Sequence, residues 1–120
     1  MFQTIGLIFV GGGLGSLARY GVSAIVKQFS TATFPIATLI ANVLSCVIMG
    51  VALGMFYHEM KNDNLRMFII VGFCGGFSTF STFSMDTVDL FRNGQFWFGI
   101  ANVALSFVLC TIVLAALIRK

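Results

Sequence analysis

GFCGGFSTFSTFS, residues 72–84, lies inside a long apolar run, yet apart from Cys74 every residue in it that is not Phe is Gly, Ser or Thr. Gly75-Gly76 followed by hydroxyl residues makes a poor helix interior. In lipid, an interrupted helix leaves backbone N–H and C=O groups unpaired, which is tolerated only where the break is buried in protein or lines a cavity. The stretch therefore predicts either a glycine-rich packing kink or a discontinuous helix whose free carbonyls suit cations and whose free N–H groups suit anions. Spacing alone leaves both open.

The surroundings place this stretch in a membrane. Hydrophobic residues make up 58% of the chain, mean hydropathy is +1.00 and charged residues are 9%, where a soluble domain has about 25%. The net charge of +3 comes from seven Lys and Arg set mostly at segment ends, which argues against a nucleic-acid surface. The first apolar run begins at Phe2 with no basic region before it and outruns a signal-peptide core, so it is expected to be retained. The chain has room for one domain, residues 1–120. Cys46, Cys74 and Cys110 each sit in a different apolar segment and read as small core hydrophobes.

Charged and turn-forming residues gather at 27–35, 58–66 and 92–95, leaving four apolar runs at about 3–26, 35–57, 65–91 and 96–118. Each exceeds the roughly 20 residues an α-helix needs to cross a hydrocarbon core, so the fold class is all-α integral membrane, with four transmembrane helices and a break in the third. Pro35 suits the first turn of the second helix, and Asn93-Gly94 signals a tight turn. An even number of spans puts Lys61, Arg66, Arg119 and Lys120 on one side and Lys27 and Arg92 on the other, with Arg19 near that second interface. So small a bias is compatible with insertion in both orientations.

Gly11 and Gly15, Gly50 and Gly54, and Gly72 and Gly76 repeat the four-residue spacing that lets helices approach closely in lipid, so the first three spans are expected to pack tightly. Gly13, Gly15 and Ala18 also match a dinucleotide-binding pattern, but inside an apolar helix with no strand before it. Deep polar residues form two stripes: Thr38, Asn42 and Ser45 on the second span, and Asn102, Ser106 and Cys110 on the fourth. A lone Ser or Thr at this depth reads as an interhelical hydrogen bond. Two mid-membrane Asn residues with hydroxyls one turn away tip the reading towards a polar path.

Phe77, Phe80 and Phe83 recur every third residue among Ser78, Thr79, Ser81, Thr82 and Ser84. An aromatic ring has a negative face and a positive edge, so ring edges and hydroxyl or amide donors could hold a small anion without a fixed charge that would trap it. Ordinary aromatic packing is the plainer alternative.

The motif GFCGGFSTFSTFS with the following MDTVD, supported by GGGLGSLARY and FPIATLIANVLS, resembles the Fluc (CrcB) family of microbial fluoride channels over essentially the whole chain. The resemblance implies an antiparallel, dual-topology homodimer in the cell membrane, with two pores that export fluoride passively and so relieve its toxicity. It implies that Phe80 and Phe83 line the pore and meet fluoride edge-on, with Asn42 as the amide donor beside them. Ser81, Thr82 and Thr38 would be neighbouring polar groups. Asn102 and Ser106 would form a polar track whose next position is Cys110, and Arg19 would stand in the vestibule. Gly75 and Ser78 would fall at the break, where backbone carbonyls of two protomers enclose a sodium ion.

Two other classes compete. A small multidrug-type transporter has similar length and span number but needs a membrane-embedded carboxylate, and the helix interiors here lack one. A non-transporting accessory subunit explains helices and glycines but not two polar stripes beside a Phe/Ser/Thr break. His58 and Glu59 lie in a loop without a second His at metal spacing, Asp86, Asp89 and Arg92 read as an interfacial cluster, and no Ser-His-Asp or Cys-His set is evident. No enzyme activity is expected.

Overall fold

The computed structural model describes residues 1–31 and 33–118; Ala32 and the two basic residues Arg119 and Lys120 of the charge count lie outside the described residues. Helix α1 spans Phe2–Phe29, α2 Ile36–Gly54, α4 Phe80–Arg92 and α5 Phe96–Ile118. Helix α3, residues 63–77, is α-helical over Asp63–Arg66, a π-helix over Met67–Cys74 and α-helical again over Gly75–Phe77. Together α3 and α4 form one interrupted span, Asp63–Arg92, so four segments are long and apolar enough to cross a membrane.

Local chemistry explains where these segments begin and end. Pro35 sits just before α2 rather than in its first turn, and its carbonyl accepts the Leu39 N–H at 3.2 Å. Helix α2 stops at Gly54, short of the expected residue 57, as the Met55 and Phe56 N–H groups both turn back to Val51 O. The third span starts earlier than expected because Asn62 Oδ1 caps it, accepting from Asn64 N at 2.9 Å and Leu65 N at 3.4 Å. Between α4 and α5 the chain reverses at Gly94, whose φ of +78° favours glycine.

The glycines decide which helices touch, and they do so in two pairs rather than among the first three spans. Gly11 and Gly15 of α1 lie directly against the backbone of α3: a Cβ on Gly11 would come 2.5 Å from Phe68 O, and one on Gly15 would fall on Phe73 O and 2.8 Å from Phe77 N. Gly72 and Gly76 return the contact against Gly11 and Gly12. Gly50 and Gly54 instead seat Leu117, so α2 packs on α5. Gly13 has open space beside it and stays within α1, which leaves the dinucleotide pattern without a structural counterpart.

This packing makes a clear prediction. Gly15→Ala forces a methyl group onto backbone that cannot move aside, and should destabilise the protein by about 1–3 kcal/mol. Gly21→Ala, with nothing within 4 Å of its Cβ, should be neutral or slightly stabilising. Unfolding curves in detergent check the pair; equal stability of the two variants contradicts the close approach of α1 and α3.

Candidate functional site

The break does not fall at Gly75-Gly76. Gly75 is helical, with φ −63° and ψ −36°, and the chain becomes extended only at Ser78 (φ −82°, ψ 158°) and Thr79 (φ −152°, ψ 124°). Of the two residues expected at the break, Ser78 is there and Gly75 lies one turn earlier. Gly76 is used for the approach to α1, while the Asn42 amide and the Thr79 hydroxyl take over hydrogen bonds that the helix gives up.

Those substitutions can be followed atom by atom. Asn42 Oδ1 accepts the Thr79 N–H at 2.9 Å, and Asn42 Nδ2 donates to Thr79 O at 3.4 Å, so one side-chain amide serves both backbone groups of an extended residue. Thr79 Oγ1 accepts the Thr82 N–H at 3.2 Å and caps α4. On the other side of the break, Cys74 O accepts from Ser78 N (3.0 Å), Ser78 Oγ (2.8 Å) and Ser45 Oγ (3.1 Å). Thr38 Oγ1 donates to Asp86 Oδ2 at 2.7 Å. The stripe Thr38, Asn42 and Ser45 therefore fastens α2 to the interrupted span along its length, and Asp86 turns to α2 where an ion-pair cluster with Arg92 was expected.

Two cavities meet at this point. One, of about 80 Å³, is lined by Arg19, Ser23, Ala37, Thr38, Thr79 and Thr82. Arg19 is held there by a hydrogen bond from Nε to Gly76 O at 3.3 Å, a cation placed at the carbonyl end of α3. The second, of about 520 Å³, is an open groove bordered by Asn42, Ser78, Thr79, Phe80, Phe83 and Ser106. Thr79 lines both. Thr79 thus stands between a small polar chamber with a fixed positive charge and a large aromatic groove.

The phenylalanines are divided by the break. Phe77 is buried and packs its ring against Phe73, with centroids 5.6 Å apart. Phe80 and Phe83 pair at 5.8 Å on the groove side, and Phe80 is 79% exposed. Ser81 is also exposed, its Oγ 3.3 Å from Thr79 Oγ1. On α5, Asn102 is fully buried and donates from Nδ2 to Thr87 Oγ1 at 2.9 Å. Asn102 Oδ1 and Ser106 Oγ are buried with no hydrogen-bond partner among the described residues. Burying such groups unpaired is costly; Ser106 lines the larger groove, whereas Asn102 lines neither of the two cavities.

The structure thus brings together Arg19, Thr38 and Thr82 in one chamber and Asn42, Ser78, Phe80, Phe83 and Ser106 in the other. Two residues were missed in the sequence. Thr79 was legible as a helix cap, a Thr at the start of a fresh helix; Thr87 had no signal beyond being a Thr seven residues before the next turn. Cys74 is fully buried as a core residue, whereas Cys46 and Cys110 line the groove. Among the described residues no group of three or more His, Cys, Asp or Glu is placed to hold a metal ion.

Residues 6–118 match the family described as CrcB-like protein, Camphor Resistance (CrcB). A protein of Ruminiclostridium cellulolyticum is 38% identical, over 100% of this chain and 96% of its own. One from Pyrococcus horikoshii is 41% identical, over 96% and 92% respectively, and one from Methylobacterium radiotolerans is 40% identical, over 95% and 81%. Each of the three carries the name fluoride-specific ion channel FluC.

Proposed function

This chain belongs to the CrcB family, and we propose that it is a fluoride-specific channel in which the break at Ser78-Thr79 joins a cationic vestibule to an aromatic groove. It is a multi-pass membrane protein and not an enzyme. The observation that carries the reading is the position of Thr79, an extended residue that lines both cavities.

A fluoride channel must replace tightly held water with donors without binding the ion so firmly that it cannot leave. Arg19 supplies attraction at the entrance, where a fixed charge raises the local anion concentration. Thr82 adds a hydroxyl within the same chamber, which Thr38 also lines with its own hydrogen given to Asp86. Beyond the break, the edges of Phe80 and Phe83 provide diffuse positive potential, with the Asn42 amide and the Ser81 hydroxyl close to them. Ser106 continues with a hydroxyl that has no partner among the described residues, and the Asn102 side chain lies one turn away on the same face. From the groove onward none of these groups carries a full charge, so the ion is stabilised in steps and released by down-gradient diffusion, which exports fluoride from a cell that has accumulated it.

A single protomer leaves this path open on one side. Phe80 is mostly exposed and the groove it borders has no outer wall, which suits a second copy as the missing wall. We read the assembly as an antiparallel homodimer of dual topology with a pore at each of two such grooves. Its centre would include Gly75, which has nothing within 4 Å of its Cβ direction. Carbonyls at the C-terminal end of α3 carry partial negative charge. With the Thr79 N–H given to Asn42 Oδ1 instead of back along the helix to Gly75 O, we read the carbonyls of Gly75 and Ser78 as the oxygens that would take a structural sodium ion, a hard cation suited to carbonyl ligands. Bound there, sodium would supply positive charge that holds the two copies together.

Proteoliposomes should release fluoride and retain chloride, and Phe80→Leu and Phe83→Leu should each lower fluoride release sharply while eluting as the parent dimer does. Leucine keeps the apolar bulk within the ~1.5 kcal/mol of tolerated core swaps but lacks the ring edge. Comparable release of the two anions, or full fluoride flux in both variants, would overturn this reading. For the assembly, a cysteine placed at Lys61 should react with an impermeant thiol reagent in only part of the population of intact cells; labelling of all copies or of none contradicts dual topology.

A further inference from the structure

Thr87 lies on α4, one turn beyond Phe83 and across from Asn102 of α5, and both it and Asn102 are buried. A threonine hydroxyl has a single hydrogen and accepts through its lone pairs. Thr87 Oγ1 lies 2.8 Å from Phe83 O, which is an acceptor only, so the hydrogen goes there. The 2.9 Å contact to Asn102 is then accepted by Thr87, which assigns Nδ2 to that side of the amide and leaves Oδ1 as the unpartnered edge. Ser106 Oγ, one turn further along the same face, is the other unpartnered buried atom.

The polarity of this arrangement matters on an anion path. An amide oxygen repels fluoride and accepts from water, whereas the N–H₂ edge does the reverse. The Thr87 hydroxyl can exchange one edge for the other. If its hydrogen swings from Phe83 O to the side chain of Asn102, it donates to Oδ1 of an amide turned by half a revolution, and the N–H₂ edge is freed. Phe83 O lies within α4 and keeps its helical N–H partner. The hydrogen bond lost at Phe83 O is replaced by one from the amide to fluoride, and bonds to a charged acceptor are the stronger kind.

We propose that Thr87 is a positioning residue for fluoride conduction: its hydroxyl is a rotor that sets whether Asn102 offers its oxygen to water or its N–H₂ to fluoride. This rests on the reading of the chain as a fluoride channel. The rotor lets one buried amide accept a water when the path is idle and donate to the ion as it passes.

The test compares Thr87→Val and Thr87→Ser in proteoliposomes loaded with fluoride, with the Asn102 side-chain amide followed by ¹⁵N–¹H NMR. Valine keeps the shape and removes the hydroxyl; serine keeps the hydroxyl and removes the methyl. Thr87→Val should lower fluoride flux about tenfold, the size of one missing hydrogen bond at the barrier, and Thr87→Ser should stay within about twofold of the parent. A purely packing role gives the opposite order. The Asn102 amide resonance should shift on fluoride addition in the parent and in Thr87→Ser, but not in Thr87→Val. Parent-like flux in Thr87→Val, or a parent Asn102 resonance indifferent to fluoride, overturns the rotor. A parent that releases no fluoride overturns the channel reading instead.

Discussion

An extended residue at membrane depth must have its N–H and C=O satisfied from elsewhere, and here the Asn42 side chain does both for Thr79. Each such group left unpaired in hydrocarbon costs several kcal/mol, more than a typical surface interaction contributes, so the break can exist only where α2 brings that amide alongside. The rest follows from meeting this requirement. Ser45 and Ser78 converge on Cys74 O, Thr79 caps the helix that follows, and Thr38 ties the far end through Asp86. Helix α2 acts as a splint along the interrupted span.

The glycines hold that splint in place. Gly11 and Gly15 let α1 press on α3 from one side, and Gly50 and Gly54 let α5 press on α2 from the other. Close backbone packing of this kind is a principal source of helix association in lipid, where no hydrophobic gradient favours it. The π-helical turns over Met67–Cys74 fall along the α1 contact, one α-helical turn before the break. Such segments are uncommon and concentrate near functional sites. Rigid contact on one side and a break on the other place Phe80 and Phe83 on the groove, while Phe77, only three residues earlier, is packed in the core.

Four spans, the tight turn at Asn93-Gly94 and the polar stripe on α2 were legible in the sequence because each has a strong local cause: hydropathy, an Asn-Gly pair and spacing by four and three residues. The site of the break was only half legible. Gly75-Gly76 is the conspicuous helix breaker, but both glycines are helical and Gly76 serves packing, and the actual interruption depends on Asn42, distant in sequence, matching Thr79. The same reason hid the pairing of Gly50 and Gly54 with Leu117 and the role of Thr87, since partners across helices leave no mark on local pattern. The charge count of the loops was readable, but two of its members, Arg119 and Lys120, lie outside the described residues.

The central claim is that the interruption itself joins vestibule to groove. It is tested by restoring a continuous third span with Asn42→Leu, Ser78→Ala and Thr79→Ala combined, which removes the splint and supplies good helix formers. Fluoride flux in proteoliposomes is the measurement, with amide hydrogen exchange across residues 75–82 reporting whether the helix has closed. The account predicts strong protection through the former break, a folded dimer and no fluoride flux. A continuous, protected helix that still conducts fluoride as the parent does would contradict it.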